Sequence, residues 1–485
     1  MNDAPPMVNI KELSHQRFNA FVDWTRGPLT GDFLQELEWY SDESEHVLGI
    51  LTLDLNDDDF GFIILGRDEN GRFRAICLEH TMSDVDLARR RLKEVLRDHG
   101  QTGETVFPQG DVEDLKSGVD LFTPLIPEHR WHPTFKSMFD YPHWQPAMAI
   151  MSEMMRHFVD VDGHFVKEFQ SNGFDARCWE LYLYAYFKEE QLGMDREYHA
   201  PDFMLEKYGQ KVAIEAVTIN PTENQKPRFR PEGELYFRTD EEIKELLKNH
   251  VPIKFSGALT AKLKKKPAYW ELEHVKGLPV VFALADFHEP QAMTWTFPAI
   301  LEYLYGLTQE FSYDDAGQLI INPLKVEYYT KGNGAQIQAG FFFLPDAENV
   351  AAVLFSNSGT LSKFNRMGRL AGFGSDESIM YRSGVRHNPD PNAALPLPFL
   401  FEIAPGKVTE TWAEGLSMFH NPNAKHPVPR GLFPSIAHHE FRDGQIYSSI
   451  PEFHPYTSVT MHILPVDDVN AGPNKMEVKT DDDQN

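Results

Sequence analysis

Three acidic residues of this chain, Glu180, Asp202 and Glu215, could gather into a site for a hard metal ion. Asp202 follows Pro201 and opens the run FMLEK, and Glu215 sits 13 residues later in VAIEAVTI. Both runs are strand-like, and the turn YGQ between them predicts a hairpin whose two acids converge at one end. Glu180 lies in CWELYLYAYF, which is apolar on nearly every side and predicts a deeply buried helix. An acid there is costly to bury unless a metal or a core arginine satisfies it. Carboxylate oxygens supplemented by water are the ligands magnesium prefers, and manganese takes the same set.

A helical Glu followed by Pro-Asp and then Glu-x-Lys is the pattern of the PD-(D/E)XK nuclease superfamily, which residues 170–290 resemble. The resemblance implies a restriction-endonuclease-like core with a mixed four-stranded sheet flanked by helices. It also implies one or two magnesium ions and hydrolysis of a phosphodiester by a metal-activated water. Carried over, Asp202 and Glu215 hold the metal while Glu180 binds a second ion or a coordinated water. The chain departs from the pattern at Val217, which stands where the lysine is expected. Residues two apart on a strand share a face, so Val217 points toward the metal and can neither stabilise phosphate charge nor orient water. The helix beginning SGALTAKLKKK offers Lys262 as the replacement. Lys211 shares the face of Glu215 but lies four residues away, about 13 Å along a strand.

The formal net charge of −27 argues against a protein that coats nucleic acid non-specifically. The cations are concentrated, however. KFSGALTAKLKKKP carries Lys254, Lys262, Lys264, Lys265 and Lys266 with no acid, and QKPRFRP adds Lys226, Arg228 and Arg230. A polyanion, DNA foremost, is expected to enter here, with Lys254, Lys264, Lys265, Lys266, Arg228 and Arg230 as phosphate contacts. The alternative is a solvated helix face.

The surrounding elements read as a multidomain α/β protein. HVLGILTLDL, DFGFIILG and RFRAICLE, with an amphipathic helix ending near Gly100, predict a small α+β domain over residues 1–105. A proline-broken connector spans 106–145. The nuclease-like core occupies 146–310: the Glu180 helix, the hairpin, the helix EEIKELLKNH, a lysine-rich helix over about 256–266, and LPVVFALADF as a strand buried on both faces. Residues 311–465 are strand-rich, through LIINPLKVEYY, AQIQAGFFFL and VAAVLFSNSG, and 466–485 form an acidic tail with little to pack.

With 485 residues the chain exceeds one average domain, and its composition is that of a globular protein. Its two cysteines, Cys77 and Cys178, cannot build a disulfide framework or a four-cysteine zinc site. No secretory leader or 18-residue apolar run is legible, so a cytoplasmic protein without membrane contact is expected. Lys363, Arg366 and Arg369 could meet phosphates, although LFSNSGTLSKFNRMGRLAGFGS lacks P-loop spacing. His438, His439, His454 and His462 form no metal motif and read as ordinary histidines. The expected function is magnesium-dependent cleavage of nucleic acid, in a restriction or defence role by analogy. Its first rival is an inactive nuclease-fold module that binds nucleic acid or a protein partner. A non-nuclease hydrolase with its site in the C-terminal half is the more distant one.

Overall fold

The computed structural model describes residues 9–110, 118–161, 163–221, 238–375 and 378–463. The expected acidic tail and the cations Arg228 and Arg230 lie outside them.

Five antiparallel strands form the N-terminal sheet in chain order: β1 (Ile10–Glu12), β2 (Leu34–Asp42), β3 (Val47–Asp54), β4 (Phe60–Arg67) and β5 (Phe73–Met82). The meander read from sequence is β3 to β5. The Val85–Thr102 helix lays Ala88, Leu92, Val95 and Leu96 on the sheet. Asp84 caps it by accepting from Leu87 N at 2.7 Å, and Gly103 ends it at a φ of 74°.

The hairpin and its neighbours give β6 (Gly193–Asp195), β7 (Phe203–Lys207), β8 (Gln210–Ile219) and β9 (Val280–Asp286). Two short ribbons follow, β10 (Leu307–Tyr313) with β11 (Leu319–Lys325), and β12 (Tyr328–Thr330) with β13 (Gln336–Gln338). The remaining strands are β14 (Ala352–Ser356), β15 (Ile379–Arg386), β16 (Leu397–Ile403), β17 (Leu416–His420), β18 (Ala437–Arg442), β19 (Gln445–Ser449) and β20 (Val459–Ile463). Of AQIQAGFFFL only Gln336–Gln338 is strand; Phe341–Phe343 tighten into a 3₁₀ turn.

The central mixed sheet has eight strands, ordered β19-β18-β17-β14-β9-β8-β7-β6, where a four-stranded sheet was expected. β6, β7 and β8 run antiparallel, β9 is parallel to β8, and β14 is parallel to β9. The extra width has a physical cause. Every residue of β9 and of β14 is buried, so neither tolerates an open edge, and each is flanked on both sides. One sheet therefore crosses the boundary drawn at residue 310. β15 instead pairs with β16 and β20 in a separate three-stranded sheet.

Helices cover both faces of the central sheet. Val212 and Ile214 of β8 pack with the Phe174–Glu189 and Gln145–Met155 helices. Ala213, Val217 and Ile219 pack on the other face with the His250–Leu263 and Phe297–Tyr305 helices. The protein is thus mixed α/β. Among the described residues, no helix is long and apolar enough to cross a membrane.

Candidate active site

Tyr208 and Gly209 join β7 to β8 as a two-residue loop, both at positive φ (54° and 72°), the combination a type I′ hairpin turn requires. This turn fixes the register, with Phe203 opposite Ile214. One step further sets Asp202 opposite Glu215 on the same face, where facing Cβ atoms stand about 5 Å apart. Asp202 Oδ2 accepts from Ala216 N at 2.7 Å, which ties the start of β7 to its partner strand.

Glu215 is buried, and its Oε1 accepts from Lys262 Nζ at 2.6 Å and from Tyr269 OH at 2.6 Å. Lys262 comes from the last turn of the His250–Leu263 helix. Lys265 Nζ donates to Tyr269 OH at 3.1 Å and stands 4.4 Å over its ring. Burial and the neighbouring Glu215 charge raise the pKa of the Tyr269 hydroxyl, so it remains a donor. Val217 is buried among apolar side chains on this face.

Glu180 lies on the helix over the opposite face of the sheet, and what reaches Asp202 is its charge. Its own helix supplies its partner: Arg177 Nη1 donates to Glu180 Oε1 at 2.7 Å and Oε2 at 2.8 Å. Arg177 Nε also donates to Glu168 Oε2 at 2.8 Å. The core-arginine alternative is thus occupied. Burial still raises the Glu180 carboxyl above its ordinary range, against the pull of Arg177 and Arg196. Asp202 is pushed up to about 8, first by burial and then by the charges of Glu215 and Glu180.

That repulsion bears on a metal. Among the described residues no group of three or more His, Cys, Asp or Glu side chains could by itself hold an ion. Magnesium needs fewer, because it takes one or two carboxylates and keeps several waters. Asp202 and Glu215 are two hard-oxygen groups whose mutual repulsion helps raise Asp202, and a divalent cation would offset that repulsion.

The other expected contacts divide. Lys264, Lys265 and Lys266 are exposed but lie beyond the helix, which ends at Leu263. Lys254 is half-buried within the electrostatic reach of Asp286 and Glu289. Lys211 pairs with Glu206 at 3.3 Å. Lys363 and Arg366 are buried and committed to Glu410 (2.7 and 2.8 Å), so they are not phosphate contacts, and Arg369 Nη1 donates to Ser375 O at 2.9 Å. His438, His439 and His454 are buried.

Sequence reasoning missed Tyr269, Arg196 and the buried Asp286–His288 pair, in which His288 Nδ1 lies 2.7 Å from Asp286 Oδ1. Only Arg177 carried a local signal, its position one turn before Glu180. Set against family models, curated proteins and solved structures, the chain matches none.

Proposed function

We propose that this protein is a metal-dependent nuclease that hydrolyses phosphodiester bonds of nucleic acid, with DNA as the first substrate to test. The observation that carries the reading is the convergence of Asp202, Glu215 and Lys262 on one face of a hairpin. The element order supports it: a helix with Glu180, three antiparallel strands, helices, and a strand parallel to the third. Strands β6 to β9 so arranged between helices fit the mixed sheet flanked by helices that the PD-(D/E)XK resemblance implies for residues 170–290. Two unpaired cysteines, Cys77 and Cys178, fit a reducing, cytoplasmic setting.

In this reading Asp202 and Glu215 would hold magnesium, which would supply Lewis acidity and a water of lowered pKa. Asp202, raised to about 8, would serve as a ligand in its deprotonated form. Lys262 holds the Glu215 carboxylate in place and brings positive charge to where phosphate charge develops, the task Val217 cannot perform. Tyr269 fixes the same carboxylate oxygen. Arg177 keeps Glu180 ordered at the margin of the group.

A second reading, binding without cleavage, draws on the engagement of Glu215 Oε1 by both Lys262 and Tyr269. One experiment separates the two. Purified protein is incubated with single- and double-stranded DNA and RNA, with magnesium or with EDTA, and binding is measured in parallel. Magnesium-dependent cleavage supports the nuclease, binding alone supports the inactive module, and neither rejects both.

A further inference from the structure

Against the C-terminal half of the Phe174–Glu189 helix lies a pocket of about 490 Å³ whose walls include Tyr184, Val161 and His157 and whose charged groups are Lys188, Arg196 and Glu197. That volume is within the range of small-ligand sites. Among the described residues, neither Lys188 nor Arg196 forms an ion pair, although Lys188 feels the charge of Asp23 and Arg196 those of Glu180 and Asp202. Arg196 Nη1 is buried without a hydrogen-bond partner. Its guanidinium is held 4.1 Å over the Phe158 ring and 5.4 Å from that of Phe203, the residue next to Asp202. Lys188 extends over Tyr184 at 6.0 Å. A buried guanidinium donor without a partner is costly unless an acceptor joins it. Burial lowers the proton affinity of both, which points the same way.

We propose that this pocket takes the terminal phosphomonoester of a nucleic-acid strand, with the unpartnered Nη1 of Arg196 donating to the phosphate and Lys188 adding positive charge from the same pocket wall. The proposal rests on the nuclease reading and narrows it to cleavage counted from a phosphorylated end. Arginine suits phosphate because its planar fork donates two parallel hydrogen bonds, and the stacked rings hold Arg196 in one orientation. The apolar wall of Tyr184 and Val161 would take the sugar or base beside the phosphate.

The test is a binding measurement in EDTA, where cleavage cannot occur. Fluorescent oligonucleotides of one sequence, carrying a 5′-phosphate, a 3′-phosphate or hydroxyls at both ends, are titrated with the full chain. Inorganic phosphate and a nucleoside monophosphate serve as competitors. One phosphorylated end should bind about tenfold more tightly than the hydroxyl form. Lys188→Gln and, separately, Arg196→Gln should shrink that gap, because each weakens binding of the phosphorylated form more than that of the hydroxyl form. The hydroxyl comparison uses unaltered protein, so a variant that fails to fold leaves it decisive. Equal affinity for all three ends overturns the proposal, as does binding of inorganic phosphate or the monophosphate with no preference for a phosphorylated strand. Cleavage of internal bonds with magnesium is read separately, so the nuclease reading can stand when the pocket assignment falls.

Discussion

Lys262 Nζ lies 2.6 Å from Glu215 Oε1, joining the end of one helix to a strand 47 residues earlier in the chain. Lys262→Ala should lower cleavage by about 10²–10³-fold, the scale of losing one donor to developing negative charge. It also strands a buried carboxylate, which costs a few kcal/mol, softened here by Tyr269. Cleavage rates and the urea midpoint are the measurements. Undiminished cleavage removes Lys262 from the mechanism.

Asp202→Asn should abolish magnesium-dependent cleavage while nucleic-acid binding persists, because the amide keeps the size of the side chain and still accepts from Ala216 N. Since the Asp202 carboxyl is pushed up to about 8, magnesium must displace a proton from it at neutral pH. The thermal shift produced by magnesium should therefore be larger at pH 8.5 than at pH 6.5. In the Asn variant that pH dependence should vanish, and its persistence would remove Asp202 as a ligand.

Lys264, Lys265 and Lys266 are exposed just past the helix end that carries Lys262, and Lys265 also donates to Tyr269 OH. Replacing all three by Gln should weaken binding across sequences alike and flatten the slope of log affinity against log salt by up to about 3, one for each phosphate left without its lysine. An unchanged slope from a salt titration would assign these lysines to solvent.

His439 and His454 are buried, and burial lowers both to about 3 from the ordinary 6.5. Below pH 6.5 the unfolded chain binds more protons than the folded one, so their contribution to stability is full above that pH and drains away toward pH 3. Each decade of proton affinity is worth about 1.4 kcal/mol, and the pair contributes several. The melting temperature should fall steeply as pH is lowered from 6 to 4, and His439→Gln should blunt the fall.

A Cβ on Gly368 would stand 2.1 Å from Pro146 O and 2.5 Å from Pro146 C, where the Leu361–Leu370 helix crosses the Gln145–Met155 helix. Both atoms are backbone and cannot swing aside. Gly368→Ala should cost about 3 kcal/mol or more, at the upper end of overpacking, read as a lower urea midpoint. An unchanged midpoint would mean the two helices do not cross there.

The sequence determined what depends on near neighbours. Two strand-like runs about a two-residue turn dictate that Asp202 and Glu215 share a face, because side chains alternate with period two and the turn leaves one register. The apolar run around Glu180 likewise dictates a buried helix, and Arg177 one turn before it is the natural partner for a buried acid. Tertiary structure decided the rest. β14, β17, β18 and β19 read as strands or loops of a separate region, yet β14 must flank β9 because both are buried along their whole length. Pairing between segments some 70 residues apart leaves no periodicity to read. The same holds for Tyr269 on Glu215, for Glu410 drawing in Lys363 and Arg366, and for Lys188 meeting Arg196 across a pocket. A charge declares its sign in the sequence, but only the fold determines whether it meets a carboxylate, water or an open pocket.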